Sequence, residues 1–100
     1  MPLITLKGMM CTGHDCWPPR RSAEGTGLFD AEGTEVHLQT HAWAVHCCTH
    51  PLAPHDCHDS VLAAGSTIFD VEGKQAGRVT DPVACGSFAA EGHALFDITE

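Results

Sequence analysis

Basic residues are scarce in this chain: five Lys and Arg stand against thirteen Asp and Glu, a net charge of −8 with histidine neutral. Neutralising phosphates takes clustered Lys and Arg, so the balance argues against a nucleic-acid partner and for a solvated acidic surface. Only six residues are aromatic, and no long segment repeats apolar residues at helical spacing. No apolar run approaches membrane-spanning length, and no basic-then-apolar leader opens the chain. The expectation is a chain that starts in the cytoplasm without a general secretory signal. One hundred residues make one domain, 1–100, whose modest core a metal or a partner would complete.

What the chain has instead is repetition. Leu28-Phe29-Asp30-Ala31-Glu32-Gly33 recurs as Ile68-Phe69-Asp70-Val71-Glu72-Gly73 and again as Leu95-Phe96-Asp97-Ile98-Thr99-Glu100, 40 and then 27 residues on. Internal repeats fix architecture before any other feature. Leu28–Ala31 and Glu35–Leu38 flank Glu32-Gly33-Thr34 as a first hairpin, and Ile68–Val71 and Gln75–Val79 flank Glu72-Gly73 as a second. The third unit ends with the chain and is expected to have no return strand. Leu3–Lys7 reads as a strand ended by Gly8, residues 9–21 as a loop, and residues 41–59, with Pro51 and Pro54, as a long irregular loop. Val61–Ala64 has room for one helical turn. The fold class is all-β, with pseudo-threefold symmetry.

Each Asp of the triplet follows a core Phe by one position, so alternation turns Asp30, Asp70 and Asp97 to the opposite, exposed face. Six cysteines (11, 16, 47, 48, 57 and 85) are mixed with eight histidines. In a reducing compartment that mixture favours metal over a disulfide framework. Imidazole nitrogens and thiolates in a tetrahedron suit Zn²⁺, at about 2.0–2.1 Å and about 2.3 Å. Fourteen candidates for some four positions, with no Cys-x-x-Cys knuckle, leave the ligand set open. His37 and His93, inside strand-like stretches, read as surface histidines. A Cys–His nucleophile pair oriented by Asp56 or Asp59 lacks a singled-out cysteine, and Gly25-Thr26-Gly27 lacks the following helix of a phosphate cradle. Catalysis is not expected.

The second unit, from Ala64 to Gly86, resembles a PAAR repeat, with Arg78, Val79, Asp81, Pro82, Cys85 and Gly86 fitting that family's pattern. Thr12-Gly13-His14-Asp15-Cys16 with Pro18-Pro19 resembles its amino-terminal Gly-His loop. The likeness covers residues 12 to 98. Gln75-Ala76-Gly77-Arg78 stands where the family has Pro-Ala-Ala-Arg, Glu72-Gly73 where it has Asn-Gly, and the signature is degenerate after the first unit. The resemblance implies a small cone-shaped fold with one structural zinc near the apex, held by His14, His46, His58 and Cys85. His55 competes with His58, and His41 or His50 with His46. It further implies a non-enzymatic tip that caps the trimeric VgrG spike of a bacterial type VI secretion machine, or a phage tail of similar build. One copy per trimer would sharpen the needle for membrane puncture, with any effector a separate protein. Such a chain waits in the bacterial cytoplasm and leaves on the spike. The reading that competes is a free-standing zinc module, either a metal carrier or a small metalloenzyme with an open coordination position.

Overall fold

In the computed structural model, which describes residues 3–48 and 56–98, all regular structure among the described residues is strand. Strands β1 (Asp30–Ala31) and β2 (Thr34–Glu35), β3 (Ala42–Cys47) and β4 (Cys57–Val61), and β5 (Asp70–Val71) and β6 (Lys74–Gln75) pair antiparallel in three separate sheets. The all-β expectation holds. The molecule measures 43 Å by 25 Å by 22 Å.

The first two units fold alike. Glu32 and Gly33 take φ of 51° and 87°, and Glu72 and Gly73 take 52° and 82°. Positive φ at both positions gives the turn twist that suits a two-residue hairpin. The registers match, Asp30↔Glu35 and Asp70↔Gln75. Asp30, Asp70 and Asp97 are exposed, and Asp30 Oδ1 accepts the Gly33 N–H at 3.3 Å.

The third unit does have a return strand, contrary to expectation, and residues 3–6 supply it. Leu3 pairs with Asp97, and the Ile4 N–H donates to Phe96 O at 2.9 Å. Val36 donates to Phe29 O at 3.1 Å and Ala76 to Phe69 O at 2.9 Å in the same way. The repeat is split between the two ends of the described chain, and no turn joins its halves.

The three units meet in a closed ring of backbone hydrogen bonds. Thr5 N–H donates to Gly77 O (2.8 Å), Gly77 N–H to His37 O (2.8 Å), and His37 N–H to Thr5 O (3.0 Å). A second ring joins Lys7 to Glu35 O (2.8 Å), Gln39 to Gln75 O (2.8 Å) and Val79 to Leu3 O (2.9 Å). Three equivalent turns follow, Leu6–Met9, Leu38–His41 and Arg78–Asp81. In each, the fourth residue's N–H donates to the first residue's C=O, at 3.0 to 3.1 Å. The fourth side chain then accepts the first residue's N–H: Met9 Sδ at 3.4 Å, His41 Nδ1 at 3.0 Å and Asp81 Oδ2 at 2.7 Å. Asp81 also binds Arg78 through two side-chain bonds of 3.0 and 2.9 Å, a half-buried fork that ties the turn together.

Side chains follow the same symmetry and explain its exceptions. Glu24 Oε1 accepts the Ala42 N–H and Glu91 Oε1 the Met10 N–H, both at 2.7 Å. At the third place Pro82 has no N–H to satisfy, and the position of the carboxylate is Ala64. Gly25, Gly65 and Gly92 occupy equivalent positions where a Cβ would come within 2.5, 2.4 and 2.5 Å of the neighbouring strand. Glycine is required there by close backbone approach.

Phe29, Phe69 and Phe96 pack around one axis with ring centroids 5.2, 5.7 and 5.9 Å apart. Above them lies the first core: Ile4, Leu6, Ala31, Val36, Leu38, Ala76 and Ile98. A second core, Cys11, Trp43, Leu62, Val83 and Ala89, continues the stack. Beyond it run β3 and β4, where an irregular loop was expected over residues 41–59. Ala42–Cys47 and Cys57–Val61, on either side of the segment that carries Pro51 and Pro54, pair with a register shift between Trp43 and His46. Val61 ends β4 and Leu62 bridges Val83, so the helical turn is replaced by extended chain.

His37, read as a surface residue, is fully buried at 0 % exposure. Its Nδ1–H donates to Glu24 O at 2.8 Å, the bond that the equivalent Thr5 hydroxyl makes to Glu91 O at 3.0 Å. Its Nε2 has no hydrogen-bond partner. His93 is half-buried, its Nδ1 accepting the Leu95 N–H at 3.2 Å. Burial lowers the His37 pKa to about 4 from the ordinary 6.5, with the Glu24 carbonyl opposing the shift. The folded chain therefore resists a proton that the unfolded chain accepts between those values. Stability is full above pH 6.5 and falls as pH drops from 6.5 towards 4, by up to about 3 kcal/mol from this residue. His37→Thr should remove that share of the pH dependence, read as urea midpoints of the metal-free chain at pH 7.5 and 4.5.

Candidate metal centre

Four segments reach the far end of the stack. The loop of residues 11–17 brings His14, β3 brings His46, β4 brings His58, and the turn after Leu62↔Val83 brings Cys85. One ligand-capable atom from each lies within 4.8 Å of all the others. These are the four residues that the family resemblance pointed to, among the fourteen candidates that spacing left open. His41 lies elsewhere, its Nδ1 engaged by the Leu38 N–H, and His50 and His55 lie outside the described residues.

The three imidazoles point the same nitrogen inward. His46 Nε2 lies 2.7 Å from His58 Nε2, and His14 Nε2 lies 3.1 Å from it. The His46 Nδ1–H donates to Pro18 O at 2.8 Å, which fixes the tautomer and leaves the Nε2 lone pair facing the cluster. Burial lowers the His46 pKa; the Pro18 carbonyl opposes this and the charges of His58, His14 and Arg20 add to it. The neutral form is the one that binds a metal. Three convergent imidazole nitrogens and one sulfur make a donor set that suits a tetrahedral ion, whose N···N edges span about 3.3 Å. The residues fit.

Two features went unread in the sequence. Trp17 stacks on His14 (centroids 5.1 Å, 23°) and lies across His58 (5.0 Å, 38°). Its Nε1–H donates to Asp56 O at 2.9 Å, tying the loop to the start of β4. The indole thereby covers two of the imidazoles. Trp17 lies only three residues past His14, but spacing alone gives no sign that the loop doubles back. It does so because His14 and Trp17 exchange backbone bonds of 2.9 and 2.8 Å.

The second feature corrects the expectation of metal in place of disulfides. Cys16 is bonded to Cys48 and Cys47 to Cys57, with Cα separations of 4.8 and 4.0 Å. Cys47 and Cys57 are direct partners in the β3–β4 register, a pairing invisible while the stretch read as a loop. Cys11 is buried with a free thiol, and its Sγ accepts the Arg20 N–H at 3.3 Å. Cys85 is free and half-buried, available to a metal.

Among known proteins, no family model matches the chain, and no curated sequence matches it.

Proposed function

We propose that the chain is a non-enzymatic, zinc-stapled cap for a threefold-symmetric needle, of the PAAR type that tips the VgrG spike of bacterial type VI secretion machines. One observation carries the reading. Leu28, Ile68 and Leu95 are threefold-equivalent, and they are 64 %, 67 % and 82 % exposed. Each directly precedes one phenylalanine of the central triad. Exposed aliphatics repeated about an axis suit a partner with the same symmetry. A pseudo-threefold monomer can lay one such side chain on each subunit of a trimer, so one copy satisfies three subunits.

The opposite end supports the same reading. A tapering tip has little volume for an apolar core, and a metal staple substitutes for one. The four side chains named above would complete a zinc tetrahedron with no open position, which suits a structural ion rather than a catalytic one. Zinc would hold His14, His46, His58 and Cys85 and supply folding free energy on the order of 10 kcal/mol. In this role the chain waits in the cytoplasm, leaves on the spike and meets a membrane only in passing. The test is stoichiometry: a trimeric spike protein should bind one copy of the chain, and a spike that binds three copies or none contradicts the proposal.

A further inference from the structure

Cys16, Cys47, Cys48 and Cys57 lie outside the four-residue cluster, yet each sits one or two positions from one of its histidines. Cys16 follows His14 by two, Cys47 and Cys48 follow His46 by one and two, and Cys57 directly precedes His58. The Cys16–Cys48 bond joins the 11–17 loop to the end of β3, and Cys47–Cys57 joins β3 to β4. All three histidine-bearing segments are thereby one covalent unit. Cys85 has no such tie. Its turn is held by backbone hydrogen bonds, Val83 N–H to Ser87 O (2.8 Å), Gly86 N–H to Val83 O (3.0 Å) and Ala84 N–H to Val61 O (2.9 Å).

We infer that the two disulfides are a redox lock on the metal centre, holding the three imidazoles together so that a bound ion escapes slowly while they are closed and quickly once they are opened. The inference rests on the metal reading above. An ion leaves a four-ligand site one ligand at a time, and each released ligand either rebinds or drifts away. A ligand tethered beside the site returns at high effective concentration, and lengthening or cutting the tether lowers that concentration steeply. With both bonds closed, an imidazole that lets go remains beside its two neighbours. With both open, no covalent bond ties the 11–17 loop to the ends of β3 and β4, and non-covalent contacts such as the Trp17–Asp56 hydrogen bond, the Trp17–His14 stack and the packing of Cys11 hold them.

The chemistry balances with a disulfide oxidant. Each bond forms when two thiols reduce one glutathione disulfide to two glutathione thiols, and a phosphine with one water reverses it, yielding two thiols and a phosphine oxide. The Cys85 thiol takes no part. A chain loaded with metal while reduced would trap its ion on meeting an oxidant.

The experiment uses the full chain loaded with zinc in two states, oxidised (two free thiols, Cys11 and Cys85) and phosphine-reduced (six), with zinc transfer to a chromogenic chelator followed in time. Reduction should accelerate transfer about 100-fold, and reoxidation with glutathione disulfide should restore the slow rate. The pairs Cys16→Ser with Cys48→Ser, and Cys47→Ser with Cys57→Ser, should each give intermediate rates. Equal rates with one zinc per chain in both states overturn the lock and leave the metal centre standing. A chain that takes up no zinc in either state overturns both. Acceleration seen only together with loss of the strand circular-dichroism signal also overturns the lock, which is local to this end of the fold.

Discussion

Replacing Leu28, Ile68 and Leu95 together with Asp should abolish docking on a trimeric spike while leaving the chain folded. Burying one such side chain against a partner is worth about 1.5–3 kcal/mol, so losing three removes about 5 kcal/mol or more. Tenfold in affinity corresponds to about 1.4 kcal/mol, which sets the expected weakening at about a thousandfold or beyond. The three carboxylates would also have to be desolvated on docking, adding to the loss. The fold should not notice. All three side chains point to solvent, and their backbone bonds, Leu28 N–H to Thr26 Oγ1 at 3.1 Å, Ile68 N–H to Ser66 Oγ at 3.1 Å and Leu95 N–H to His93 Nδ1 at 3.2 Å, do not involve them. An unfolding midpoint within about 0.5 kcal/mol of the parent is expected. Sedimentation of the variant with the spike reads the docking, and unchanged affinity would remove this face from the proposal.

The second large effect belongs to Cys85→Ser. A serine hydroxyl is a hard, weakly acidic ligand where the proposed ion has a thiolate, so the variant should lose its zinc and its unfolding midpoint should fall sharply. The fall should be greatest in the reduced chain. In the oxidised chain, closing sequence separations of 32 and 10 residues already contributes about 3.7 and about 2.7 kcal/mol in the chain-entropy account. That covalent part survives when the ion leaves. Metal content and midpoint, measured in both redox states, check this; full metal content with an unchanged midpoint would sink the role of Cys85. A chelator bears on the competing free-module reading only under reducing conditions, because the disulfides keep the three histidine-bearing segments together after the metal is stripped.

Much of this was legible in the residues. The aliphatic-Phe-Asp triplet announced three equivalent units, because a short strand with one large side chain cannot bury itself and has to be repeated about a shared centre. The acidic-Gly pairs announced two of the hairpins. The third was hidden because its return strand, Leu3 to Leu6, lies some ninety residues from Leu95 in sequence, and pairing at that distance leaves no local signal. The exposed triad was legible but went unread: the alternation that turns Asp30, Asp70 and Asp97 outward applies equally to the aliphatic residue before each phenylalanine.

The four clustered side chains came from a resemblance rather than from spacing, which left fourteen candidates open. What the residues concealed was the reason they converge. β3 and β4 were masked by prolines 51 and 54, and without that hairpin nothing set His46 opposite His58 or Cys47 opposite Cys57. His37 misled in the other direction. A histidine between strand-like apolar residues reads as the polar face of an alternating strand, yet here it lies on the inner ring, where Thr5 and Gly77 are its equivalents and its Nδ1–H serves the Glu24 carbonyl.

Native mass spectrometry of the zinc-loaded chain mixed with a trimeric spike protein tests the central claim most directly. The predicted species has the mass of three spike subunits, one copy of this chain and one zinc ion, with no free trimer left at equal amounts. A spike trimer that gains no mass beside a folded, metal-loaded chain, or one that takes up three copies, would contradict it.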